Sequence, residues 1–244
     1  MIPVSVVHRL APEAKIVALL GFVLLVVAAP ARWWPVLLVD AVLLAGVVGL
    51  ARIPLRWIAP RLVWEVPVLV FALLLPVVAT GPRIEVFGLA LSRDGLEGGA
   101  LLLARATLGL LTALVLVATT PATAVVDGLD RLRLPRRLVE ILTFMVRYLG
   151  LVREDLHRME VARASRGDQR AGWRRWLAGV ATAGHLFVRS YERGERIEQA
   201  MLARGYGGVL PRAGLGNEER PPALLAGLLP LGAGLALVGA AVVA

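Results

Sequence analysis

Apolar residues fall in long, nearly unbroken runs along this chain, and polar residues cluster between them. Five runs approach the roughly 20 mostly apolar residues that a bilayer-spanning helix needs. They are Ile16–Ala29, extended by Trp33 and Trp34; Pro35–Leu50; Leu62–Thr80; Gly99–Thr119; and Ala223–Ala244. VAAPA at the end of the first run imitates a signal-peptide cleavage site. Its leader is long and four more runs follow, so cleavage would leave the membrane reading intact. The pattern predicts an all-α, polytopic membrane protein with about five transmembrane helices. Pro67 and Pro76 predict kinks in the third, whose freed carbonyls must find partners in the bundle.

Pro121–Pro222 is patterned differently. Its apolar stretches, Leu138–Val152 and Trp176–Val188, are short for a span, and Glu140 and Arg147 interrupt the first. They read as amphipathic helices near the membrane surface. The chain divides accordingly: 1–120 for N-terminal transmembrane helices, 121–222 for a cytoplasmic helical segment, and 223–244 for a C-terminal transmembrane helix.

The first amphipathic stretch has a clear period. Leu138, Leu142, Met145, Leu149, Val152, Leu156 and Met159 alternate steps of four and three, a heptad seam suited to packing lengthwise on another helix. Continuing it reaches Arg163 and Arg166. Phe187, Tyr191, Gly194, Ile197 and Met201 form a second stripe, whose next step is Arg204. Each stripe ends on a small residue, an arginine and a glycine: Ser165-Arg166-Gly167 and Ala203-Arg204-Gly205. Glycine suits a helix C-terminal cap. Arginine there can complement the helix dipole, but two matched tips, both on the apolar seam, suit a protein with two docking grooves to fill.

Composition supports the membrane reading. Of 244 residues, 58% are hydrophobic, and mean hydropathy is +0.73. Without cysteine, disulfides and thiolate metal sites are excluded. The net charge of +9 would suggest nucleic acid in a soluble protein; here the distribution fits the positive-inside rule instead. Pro121–Pro222 alone carries 18 Arg against 12 Asp and Glu. Arg9 and Lys15 precede the first run, and Arg52, Arg56 and Arg61 follow the second. The N-terminus and the long segment are therefore expected in the cytoplasm and the C-terminus outside. Asp40 and Arg105 lie within runs at similar depth with opposite sign, which predicts an intramembrane ion pair, with a substrate pathway as the alternative. Glu65, near the inner end of its run, is placed to reach water. His8, His157 and His185 have no metal-ligand spacing, so no metal or other cofactor is expected. No Walker pattern surrounds the single lysine, Lys15.

These residues resemble the transmembrane T component of energy-coupling-factor (ECF) transporters. Ala203-Arg204-Gly205 matches the second signature of that family, and the first has Ser165 for alanine. HRLAPEAK, His8 to Lys15, is similar to the family's His-Arg-Leu-Asp-Pro-x-x-Lys opening, with Ala11 where Asp is usual. LFVRSYERGERIEQAMLARGYGG, Leu186 to Gly208, resembles the cobalt-type branch, CbiQ, and the likeness covers nearly the whole chain. It implies a non-catalytic scaffold in the cell membrane. Two ATPase subunits would bind the tips through Ser165, Arg166, Gly167, Ala203, Arg204 and Gly205. A small capture subunit would bind elsewhere on the coupling helices and spans, with cobalt the leading substrate and nickel or a vitamin the alternative. Two rival classes remain. A membrane enzyme lacks any nucleophile–base pair, and a self-contained carrier would require internal symmetry that the sequence does not display.

Overall fold

The computed structural model describes residues 5–29, 34–86, 89–167 and 173–207. The described residues form two compact units, one reaching Leu132 and the other beginning at Arg133. The run Ala223–Ala244 lies outside the described residues.

In the first unit, α1 (Val6–Arg9) leads into α2 (Pro12–Ala28) and α3 (Trp34–Leu50). A short turn, α4 (Leu55–Ile58), continues through a 3-10 segment (Ala59–Glu65) into α5 (Val66–Val78). A hairpin follows, with β1 (Arg83–Val86) antiparallel to β2 (Leu89–Ser92) and Ile84 opposite Leu91. It feeds the longest helix of the unit, α6 (Arg93–Thr119), and then α7 (Ala122–Arg131). Ser92 caps α6 by accepting from the Gly95 backbone at 3.2 Å.

Four apolar runs thus become helices. Leu55–Val78 and Arg93–Thr119, at 24 and 27 residues, are long and apolar enough to cross a membrane. Helices α2 and α3 have 17 residues each and are apolar on opposite faces. On α2, Phe22 and Val26 are buried while Leu20, Leu24 and Val27 are more than half exposed. A helix greasy all round belongs in a membrane or a large core. Pro67 stands at the start of α5, where its missing N–H is harmless, and only Pro76 lies inside the helix.

The long central helix α6 organises this unit. Leu101, Leu108 and Val115 of α6 join Phe22 and Val26 of α2 and Leu37 and Leu44 of α3 in one core. Against α5 the contact is closer still. A Cβ at Gly95 would stand 2.6 Å from the Leu75 carbonyl oxygen, and one at Gly99 2.5 Å from that of Ala72. Two glycines four apart make a groove into which a neighbouring backbone settles, as in tightly packed membrane helices. Helix α7 packs on α2 in the same manner, since a Cβ at Gly128 would lie 3.0 Å from the Glu13 nitrogen.

The second unit holds two long helices, α8 (Arg136–Ser165) of 30 residues and α9 (Trp173–Ala203) of 31. The predicted seam is only partly covered, with Leu142, Val152 and Met159 half-buried. Leu138, Met145, Leu149 and Leu156 stay 37–62% exposed, while the buried residues of α8 are Val139 and Asp155. The period correctly groups the residues of one face, but it carries no information about what covers that face.

The glycine groove yields a matched test. Gly99→Val should destabilise by about 1–3 kcal/mol through overpacking against fixed backbone. Gly98→Ala, where a Cβ meets nothing within 4 Å, should stay within about 0.5 kcal/mol of the parent or gain from helix propensity. Thermal melts in detergent decide it, and equal losses at both positions would reject the close packing of α5 on α6.

Candidate docking site: two capped arginine tips

Both long helices stop for the same local reason. Gly167 and Gly205 have φ of +77° and +81°, the left-handed region that costs other L-residues about 1–2 kcal/mol. Among the described residues nothing lies within 4 Å of a Cβ at either position, so backbone twist, not crowding, calls for glycine. The Gly167 N–H donates to Ala164 O at 3.0 Å, and the Gly205 N–H to Leu202 O at 2.9 Å. At the second tip the Tyr206 N–H also donates to Met201 O at 3.0 Å, completing a Schellman cap.

The caps place Arg166 and Arg204 one residue beyond the last helical turn, and both are exposed. Among the described residues, neither guanidinium makes an ion pair. Ala203 is exposed, and Ser165 turns its hydroxyl back onto Ala162 O at 3.0 Å. Serine in place of alanine therefore spends its polar group on its own helix and leaves the tip otherwise alike.

The two helices are joined by polar side chains. Arg193 of α9 donates to Oδ2 of Asp155 at 2.7 Å, and Arg158 donates to Oδ1 at 2.6 Å. The bond from Arg158, then that from Arg193, hold the Asp155 carboxyl below its ordinary value. Nearer the first tip, Arg163 donates to the Thr182 hydroxyl at 2.9 Å.

Comparison with known proteins decides the family. A family profile described as cobalt transport protein, CbiQ, matches residues 3–213, a stretch that includes both tips. The chain belongs to the CbiQ family. A cobalt transport protein CbiQ of Rhodobacter capsulatus is 31% identical over 192 residues, covering 78% of this chain and 76% of its own length. An energy-coupling factor transporter transmembrane protein of Bacillus selenitireducens is 31% identical over 220 residues, covering 84% and 81%. Its counterpart in Bacillus subtilis is 30% identical over 219 residues, covering 84% and 82%. The chain is thus a transport component, and its apolar helices agree with a membrane location.

The family resemblance at the N-terminus has a physical basis in this CbiQ-family chain. Lys15, only 5% exposed, donates to His8 O at 3.3 Å, Thr119 O at 3.2 Å and the Thr120 hydroxyl at 3.1 Å. It ties the leader and α2 to the C-terminal end of α6, where free carbonyls attract a cation. Arg131 of α7 reaches Glu13 at 3.2 Å. The His8 imidazole is held below its ordinary value by burial and by the Lys15 ammonium, with a backbone bond to Ala118 pulling the other way. Ala11 is the residue that caps α2, and it offers no side-chain bond. An Asp there would supply the missing acceptor.

The expected pair between Asp40 and Arg105 does not form. Asp40 is wholly buried on α3, and among the described residues neither carboxylate oxygen has a hydrogen-bond partner. Arg105 instead donates through Nη2 to the Ala29 carbonyl, leaving its Nε without a partner. Both side chains lie on the faces that meet, Asp40 between Leu37 and Leu44 and Arg105 between Leu101 and Leu108, but the carbonyl that ends α2 takes the guanidinium. Glu65 meets the Thr107 hydroxyl of α6, a contact between elements that sequence alone did not suggest. Among the described residues no group of three His, Asp or Glu is placed to hold a metal.

A four-variant cycle checks the correction. Asp40→Leu should leave stability unchanged or raised, since a lone buried carboxylate is costly. Arg105→Leu should lower it, because the Ala29 carbonyl loses its donor. The two changes should add within about 0.5 kcal/mol. A coupling above roughly 1 kcal/mol in detergent melts would restore the direct pair.

Proposed function

We propose that this chain is the scaffold of an ECF-type importer, carrying motion from ATPase subunits to a substrate-capture membrane subunit. The observation that carries the reading is the pair of exposed arginines, each set on a glycine-capped helix end and matching the family's two signatures. A tip of this kind presents a guanidinium whose planar fork can bond carboxylate or carbonyl groups in a partner's groove. Two tips suit two ATPase subunits, with Ser165, Gly167, Ala203 and Gly205 shaping the contact beside Arg166 and Arg204.

Cobalt is the favoured cargo, in keeping with the name of the Rhodobacter capsulatus relative. Nickel or a vitamin is the second reading. The Bacillus relatives, named for energy coupling and for no substrate, are equally similar at 31% and 30%. The capture subunit would make the choice.

The proposed topology has five spans, the fifth being Ala223–Ala244. The N-terminus and 121–222 face the cytoplasm and the C-terminus faces outside, following the concentration of arginine in the long segment. Alkaline phosphatase joined after Ala244 should then be active and joined after Arg170 inactive. The opposite pattern would overturn this orientation.

Arg166→Ala and Arg204→Ala should each weaken capture of the ATPase subunits on co-purification and abolish uptake, with normal membrane abundance. Losing a charged, hydrogen-bonded interface contact costs about 2–5 kcal/mol, roughly a thirtyfold or greater weakening. Lysine should restore little, because it lacks the fork. Stoichiometric ATPase and full uptake in both alanine variants would reduce the arginines to helix caps.

A further inference from the structure

We propose that Asp155 and Arg193 form the fulcrum of the two docking arms, positioning residues that set where Arg166 and Arg204 stand relative to each other. The proposal rests on the docking reading above and adds the element that fixes its geometry.

Three observations carry it. First, Asp155 is one of only two buried residues on α8, and its side chain is 5% exposed. Both of its oxygens are engaged, Oδ1 by Arg158 on its own helix and Oδ2 by Arg193 across the contact. The bond from Arg158 aims the carboxylate, and the bond from Arg193 closes the crossing. Second, α8 and α9 run in opposite senses through this contact. The later residue Arg163 meets the earlier Thr182, while Asp155 meets Arg193. Third, the arms match. Arg166 lies eleven residues beyond Asp155, and Arg204 lies eleven beyond Arg193. At 1.5 Å of rise per residue each arm is about 16 Å long.

Because the helices are antiparallel, the arms leave the ion pair in opposite directions. Their tips can stand up to about 33 Å apart. Four of the seven seam residues of α8 stay exposed, while Val152 and Met159, one turn to either side of Asp155, are half-buried. The angle between the arms is then governed chiefly by the charged, nearly buried Asp155–Arg193 contact midway between the two docking points, with Arg163–Thr182 as a second tie nearer the first tip. A change at the contact would move both tips, whereas a change at one tip would leave the other in place. The residues act through Arg166 and Arg204.

The chain has no native cysteine, which permits site-specific spin labelling of the full-length protein in nanodiscs. Labels at Ala162→Cys and Ala200→Cys, both exposed, report the separation of the arms by pulsed dipolar spectroscopy. Asp155→Asn and Arg193→Gln should each shift the mean distance by about one helical turn, ~5 Å, or broaden its distribution roughly twofold. Their combination should do no more than either alone, since both break one contact. Arg193→Lys should stay close to the parent, and so should Arg189→Gln, a control on the same helix. Circular dichroism should report unchanged helix content throughout. An unchanged distribution in Asp155→Asn and Arg193→Gln would overturn the proposal, and so would equal broadening in the Arg189→Gln control. The measurement needs no ATPase, so its failure is distinct from failure of the docking reading, which the tip variants test by co-purification.

Discussion

A single ammonium group holds the ends of three elements in the first unit. Lys15 is buried where a lysine is ordinarily expensive, and its three protons go to the leader, to the last carbonyl of α6 and to a threonine hydroxyl. The free carbonyls of a helix end need donors, and the buried cation needs acceptors, so each need answers the other. With that end of α6 fixed, its core residues meet α2 and α3 in register, and Gly95 and Gly99 bring in α5. Helix α7 then folds back onto α2 through Gly128 and the Arg131–Glu13 bridge. The order of the unit follows from this local satisfaction of polar groups within an apolar surround.

Much of this was legible from the residues. Apolar run length located α2, α3, α5 and α6, because a helix in lipid has little use for polar positions. The ends of α8 and α9 were legible from Gly167 and Gly205, since a left-handed residue has a strong chemical signature. Helix α7 and the hairpin were not read. ATAVVDGLDR is too short for its period to stand out, and the hairpin strands of four residues each offer little alternation. Both are fixed by what they pack on or lead into.

The docking tips were legible and the polar contacts behind them were not, for one reason. A tip is a local property of five or six residues, whereas Asp155–Arg193 joins residues 38 apart. Asp155 sits among charged neighbours that all look like a solvated face, and only the crossing of α9 distinguishes it. Asp40 and Arg105 failed in the opposite sense. Depth and helix face are readable from sequence, but the competing acceptor, the Ala29 carbonyl, is brought in by a third helix and is not. The partly exposed seam of α8 belongs to the same class, since its periodicity names a face and leaves the partner open.

The empty space around Gly167 and Gly205 has a consequence of its own. Where a glycine is kept by crowding, no larger residue of either hand can replace it. Here there is room, and only handedness stands in the way. A mirror-image residue prefers positive φ, so D-alanine introduced by semisynthesis would adopt the backbone turn of either tip without torsional strain. It would also narrow the unfolded chain's freedom relative to glycine. Handedness, then, favours glycine at these two helix ends, although Arg52 and Arg133 hold positive φ elsewhere in the chain, and the arginine before each tip takes its place from that turn.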